Sequence, residues 1–193
     1  TIHSVNLAGL AAGRYAMTAV QKSIGQTRQE AGLGFPKSKL LDLIPAALDD
    51  KIIQILDEAG FMTFRGYDGL DDYYVYHTKM LCPSKSDFVY AEDVRVKNKI
   101  IRETRKEALL LLNDDIDMED IEGDLGARAK FIGAALDRMV DAKEISAYEI
   151  AVVDTDPKAF VIDGIMRVRV RYAARGYIRE IVIDLGRVAQ VAG

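Results

Sequence analysis

Met166-Arg167-Val168-Arg169-Val170-Arg171-Tyr172 decides how the last third of this chain is read. Apolar and basic residues alternate with a period of two, which is the repeat of a strand with one buried face and one solvated face. Ala173-Ala174-Arg175-Gly176 then supplies turn formers, and residues 177–185 form a second segment of strand composition. A β-hairpin over 166–185 is expected, in which Glu180 and Asp184 lie near the arginines and offset their mutual repulsion. Residues 148–153 are expected as a third strand.

Upstream of this region the period changes to that of a helix. Residues 86–113 carry no Gly or Pro, with Pro83, Ser84 and Ser86 punctuating the start, so one long helix is expected there. The acidic run 113–123 ends it. A second long helix is expected over 124–140, with Leu125, Ala129, Ile132, Leu136 and Met139 at three- and four-residue spacing on one face. Asp49 or Asp50 is placed to cap a shorter helix through Ile52, Ile53, Ile55 and Leu56, and Gly60 to close it. The aromatic segments 61–64 and 73–76 flank a turn-rich stretch and predict a hairpin. Near the start, Ser4 is a plausible N-cap for a helix of small residues running to Val20, and 25–36 is expected to be a loop.

The fold class that follows is α+β, with long helices packed against a small mixed or antiparallel sheet and a C-terminal β-hairpin or strand arm. We expect an N-terminal helix and loop over 1–47, a helical core with a short β-hairpin over 48–143, and a C-terminal β region and connecting arm over 144–193. The chain opens on Thr1 and passes almost directly into a helical pattern, so an upstream portion is expected in the complete protein.

Composition narrows the function. Among 193 residues, 26 Lys and Arg stand against 30 Asp and Glu, so nothing in the net charge of −4 calls for nucleic acid or an anionic membrane. No stretch approaches the ~20 apolar residues needed to span a bilayer, and the first ten residues have no secretory pattern. Cys82 is the single cysteine, so no internal disulfide forms.

Chemical motifs are incomplete wherever they begin. The run Gly32-Leu33-Gly34-Phe35-Pro36-Lys37-Ser38 imitates a phosphate loop, but Pro36 removes an amide donor and no Gly-Lys pair exists. His77 and Cys82 lack a specified acid partner, and His3 and His77 are too few for a zinc site. Asp114, Asp115, Asp117, Glu119 and Asp120 resemble a calcium loop, yet the required glycine is replaced by Asp120 and the bidentate acid by Gly126. No catalytic residue, metal or cofactor is therefore expected.

The most patterned polar feature is a basic stripe. Arg95, Lys99, Arg102 and Lys106 are spaced four, three and four apart on one helical face, with Glu103 and Glu107 able to pair with them. An acidic protein surface is the functional partner this stripe suits best. No aromatic stacking platform accompanies it, as single-stranded nucleic acid would require.

The order of these features carries a resemblance. A helix ending at Gly60, then Phe61-Met62-Thr63-Phe64-Arg65-Gly66-Tyr67, then 73–76, Ser86-Asp87-Phe88 and Asp93-Val94-Arg95-Val96-Lys97-Asn98-Lys99-Ile100-Ile101-Arg102 resembles the C-terminal half of contractile tail sheath proteins of phages and related injection machines. It spans residues 49–185.

The resemblance implies a structural subunit, not an enzyme, that polymerises as a helix around an inner tube and contracts to drive it through an envelope. Its implied partners are copies of itself and the inner tail tube protein, without nucleic acid or membrane. The implied location is a virion tail or tail-like particle assembled in the bacterial cytoplasm. On this reading Arg95, Lys99, Arg102 and Lys106 face the tube or a neighbouring subunit. The subunit connector is Tyr177, Ile178, Ile181, Val182 and Ile183, whose apolar residues on both faces suit addition to a neighbour's sheet. Two alternatives stay open: a small α+β enzyme with a dispersed site at Arg65, Asp68, Tyr74 and His77, and a nucleic-acid-binding module using the basic helix face.

Overall fold

Helix α1 (Leu7–Met17) begins at Asn6, whose side chain accepts a hydrogen bond from the Ala8 amide, the arrangement of an N-cap. The computed structural model of the chain describes residues 6–40, 42, 49–83, 85–153, 160 and 162–183. The expected cap Ser4 therefore lies outside the described residues, as do Ser84, Asp184, Leu185 and 186–193. Within α1 only Ala11 is buried, so the small side chains expected to pack closely leave most of the helix exposed.

Asp49 caps α2 (Asp50–Glu58) by accepting from the Ile52 amide. Gly60 closes the turn with a φ of 83°, the left-handed region that suits glycine. The hairpin expected next is present as β2 (Phe64–Gly66) and β3 (Asp72–Val75), antiparallel with Phe64 opposite Val75 and Gly66 opposite Tyr73. The stretch 25–36 departs from a plain loop, because Phe35 and Pro36 form β1 (Phe35–Pro36) against β3, giving the order β1-β3-β2. A two-residue strand leaves no periodicity to detect. This sheet and α1 enclose a first core of Ala11, Ile24, Phe35, Phe64 and Val75.

The long helix, α3 (Ala91–Leu109), starts five residues later than expected. Lys79 and Tyr90 form an antiparallel bridge, the Met80 amide donates to the Val89 carbonyl and the Ala91 amide to the Thr78 carbonyl. Those bonds hold the backbone up to Tyr90 extended, overriding its helical pattern, while Ser86 turns to accept from the Phe88 amide.

After the acidic connection, Asp120 caps α4 (Ile121–Asp141) through the Gly123 amide. The expected face Leu125, Ala129, Ile132, Leu136 and Met139 is buried throughout. A second core joins Val96 and Ile100 of α3 to Leu136, Met139 and Ile145, with Tyr148, Val170 and Tyr172 covering it.

The last sheet corrects the expected hairpin. β5 (Val168–Ala173) pairs antiparallel with β4 (Ala147–Val152), Tyr148 opposite Tyr172 and Glu149 opposite Arg171, and among the described residues the sheet has these two strands. Residues 177–183 adopt no strand within this chain. The alternation was read correctly as a half-buried strand, but the strand upstream of it takes the pairing, with Glu149 in place of Glu180 beside Arg171. The protein is thus α+β, with two small antiparallel sheets. No helix among the described residues is long and apolar enough to cross a membrane.

Candidate assembly interface

The C-terminal arm is fixed at its root and bare beyond it. Arg179 donates to Glu92, a fully buried carboxylate in the first turn of α3 that also accepts from Thr78 Oγ1 at 2.5 Å. Its guanidinium lies 3.7 Å from the ring centroid of Tyr90 and 4.7 Å from that of Tyr177. The Tyr177 hydroxyl donates to the Gln21 carbonyl at 2.6 Å. Burial pushes the Tyr177 phenol up to about 12, helped by the negative charge of Glu92 and Asp93. Ile178 within this anchor and Ile181, Val182 and Ile183 beyond it are exposed, between 73% and 82%. Four aliphatic side chains left in water on a segment without regular pairing form an unsatisfied surface.

The expected basic stripe divides in two. Arg95 is turned inward, donating to the carbonyls of Tyr15 at 2.8 Å, Thr18 at 2.6 Å and Ala19 at 3.4 Å, with Tyr15 beneath its guanidinium. These carbonyls lie at and beyond the end of α1, so Arg95 fastens α1 to α3. Lys99 reaches Glu144 at 2.5 Å, in the turn after α4. Arg102 and Lys106 both pair with Glu103, which holds that carboxyl below its usual range through the Lys106 hydrogen bond first. Their own side chains remain more than half exposed, so the outward charge of the stripe belongs to these two.

The other motifs acquire structural occupations. Gly32 and Gly34 direct their carbonyls to Arg14, which points oxygen atoms and not amides into the loop that imitates a phosphate cradle. His77 and Lys79 share Asp57, at 3.0 and 2.5 Å. Cys82 lies 3.6 Å from the Phe88 carbonyl, so it and His77 have different partners. Arg128 sits among Asp114, Asp124 and the Asp115 carbonyl, supplying a cation from the chain itself to the segment that resembles a calcium loop. Of the dispersed alternative, Tyr74 is buried, Arg65 pairs with Asp50 and Asp68 is exposed. Arg65 and Tyr74 are cross-strand partners, and Arg65 lies over the Tyr76 ring that stacks on His77, contacts that pack the β2–β3 hairpin.

Sequence reasoning missed the Arg179–Glu92 anchor. Its one visible signal was a charged residue, Arg179, inside an otherwise apolar segment.

Family profiles described as "DUF2586, N-terminal domain" and "DUF2586, C-terminal domain" match residues 1–77 and 87–192. The chain belongs to the DUF2586 family. No curated protein matches it.

Two solved structures share the fold of this DUF2586 chain. In the anti-feeding prophage baseplate, 6-fold symmetrised, the similar chain is 14% identical with a TM-score of 0.71 over 94% of this chain and 50% of that one. In the contracted sheath complex of the extracellular contractile injection system PVC, it is 14% identical with a TM-score of 0.60 over 74% of this chain and 41% of that one. At this identity the likeness is one of fold. It agrees with the resemblance carried by the order of motifs, and the DUF2586 chain spans half the length or less of both. The root of the arm joins segments from both matched regions, since Gln21 of the first accepts from Tyr177 of the second there.

Proposed function

We propose that this chain is a structural subunit of a contractile, phage-tail-like machine, and that it serves as a sheath subunit polymerising around an inner tube. The observation that carries this reading is the C-terminal arm: anchored at Arg179, bare at Ile178, Ile181, Val182 and Ile183, and paired with no strand among the described residues. Among the described residues the β4–β5 sheet has two strands, and a two-stranded sheet is marginal unless something is added. Strand addition from another copy supplies backbone partners to both the edge and the arm. Repetition of a contact between two different surfaces gives an open helix. The fold shared with sheath and baseplate chains supports the same reading.

The inner tube is the proposed partner of Arg102 and Lys106, whose charge points outward, while Arg95 and Lys99 hold the subunit together. The location follows as a tail-like particle, and the role is structural and not enzymatic. The test removes the arm without disturbing its anchor: truncate after Arg179, or place Pro at Val182, where a ladder donor is lost. The expected product is a folded, soluble monomer that no longer assembles. Normal polymers from the truncated chain would place the connector elsewhere.

A further inference from the structure

Arg169 and Arg171 on the solvent face of β5, and Arg167 just before it, are all exposed, while Val170 and Tyr172 turn to the second core. Successive same-face residues lie about 7 Å apart on a strand, close enough for the guanidinium charges to repel. Across the sheet Arg171 has Glu149 at 3.7 Å, but Arg169 is opposite Ala151, and neither Arg167 nor Arg169 has a carboxylate partner among the described residues. This is a row of exposed cations with one carboxylate, Glu149, beside it, open to a planar, bidentate anion such as a carboxylate.

The chain carries a complementary surface as well. In the connection between α3 and α4 and the first turn of α4, Arg128 answers Asp114 and Asp124, whereas the carboxylates of Asp115, Glu119 and Glu122 have no cationic partner among the described residues. The β4–β5 sheet covers the second half of α4, where Tyr148 and Ile150 meet Gly133 and Tyr148 donates to Asp137. From the start of α4 to Gly133 is about 18 Å at 1.5 Å per residue, roughly twice the screening length at physiological salt. No ion pair between the two patches occurs among the described residues.

We propose that the arginine row Arg167, Arg169 and Arg171 docks on the acidic α3–α4 connection, at Asp115, Glu119 and Glu122, of a second copy. The contact joins unlike surfaces, so it propagates in one direction as a helical polymer requires. It rests on the self-assembly proposed above and adds a second, electrostatic contact to the arm. Exposed pairs are individually weak, so the effect is collective and weakened by salt.

The test uses two charge-reversed full chains, R169E/R171E and D115K/E119K, assayed by sedimentation of assemblies, with circular dichroism to establish that both are folded. Each alone should raise the concentration needed for assembly by about tenfold or more. An equimolar mixture should recover assembly, because each variant's row then meets the other's connection. Wild-type assemblies with both variants unaffected would assign the row to solvent and overturn this contact alone. Loss in each variant without recovery in the mixture would also overturn it, by assigning the patches to other partners, as would oligonucleotide binding abolished by R169E/R171E with assembly intact. A wild-type chain that forms no assembly overturns the proposed function and this contact with it.

Discussion

Glu92 occupies the second position of α3 with no solvent exposure, where the amide ends of the helix favour a negative charge. Thr78 and Arg179 complete its pairing. Replacing Arg179 by Met keeps most of the volume but leaves a buried carboxylate with a single hydroxyl donor. The expected loss is about 3 kcal/mol, measured by urea unfolding; a change below ~0.5 kcal/mol would mean that the pair closes only loosely. Tyr15, Tyr148 and Tyr177 are each raised from 10.0 to about 12, chiefly by burial. A raised folded value means that the native state holds its proton longer than the unfolded state does. The associated stability is complete below pH 10 and is lost as pH rises from 10 to 12. Tyrosinate absorbance should accordingly show six of the nine tyrosines titrating late, since burial also raises Tyr67, Tyr74 and Tyr172, with Tyr15, Tyr148 and Tyr177 latest and together with unfolding. All nine ionising near pH 10 in a folded chain would contradict the packing described.

Packing between elements turns on a glycine. A Cβ added at Gly133 of α4 would stand 3.2 Å from the Tyr148 hydroxyl and 3.4 Å from Ile150, so the sheet rests on the helix backbone itself. Gly133→Leu should force the β4–β5 sheet away from α4, at a cost of ~1–3 kcal/mol. Thermal unfolding together with the Tyr148 titration checks this. An unchanged Tm would show that the sheet yields freely. At this scale the sequence was most readable where one rule acts over many residues. The buried face of α4, the Asp49 cap and Gly60 stop of α2, and the half-buried strand β5 all follow from period or capping chemistry. Pairing choice was not readable. Alternation identifies which face of β5 is buried but says nothing about whether β4 or residues 177–183 lie beside it. The start of α3 was misplaced for a related reason, since the bonds from 78–80 to 89–91 are tertiary. In the candidate interface, spacing located the stripe on one face of α3, yet Arg95 and Lys99 are absorbed by α1 and Glu144, neighbours that helical spacing cannot reveal.

Seen whole, the chain ties its helices together through charged side chains and leaves exposed apolar residues on the arm as well as elsewhere, Met17, Leu81 and Ile162 among them. Arg95 ties α1 to α3, Lys99 ties α3 to the turn after α4, and Arg138 of α4 donates to Glu107 of α3. These ties would brace the proposed subunit while the arm beyond Arg179 is left for a neighbour. The solved structures whose fold the chain shares are a sheath complex and a baseplate, and the proposed function requires this chain to self-assemble. Negative-stain electron microscopy of the concentrated wild-type chain tests that requirement most directly. Rings or helical tubes that disappear in the chain truncated after Arg179 are the expected result. Uniformly dispersed monomers at every concentration and salt condition, with or without tube protein, would contradict it.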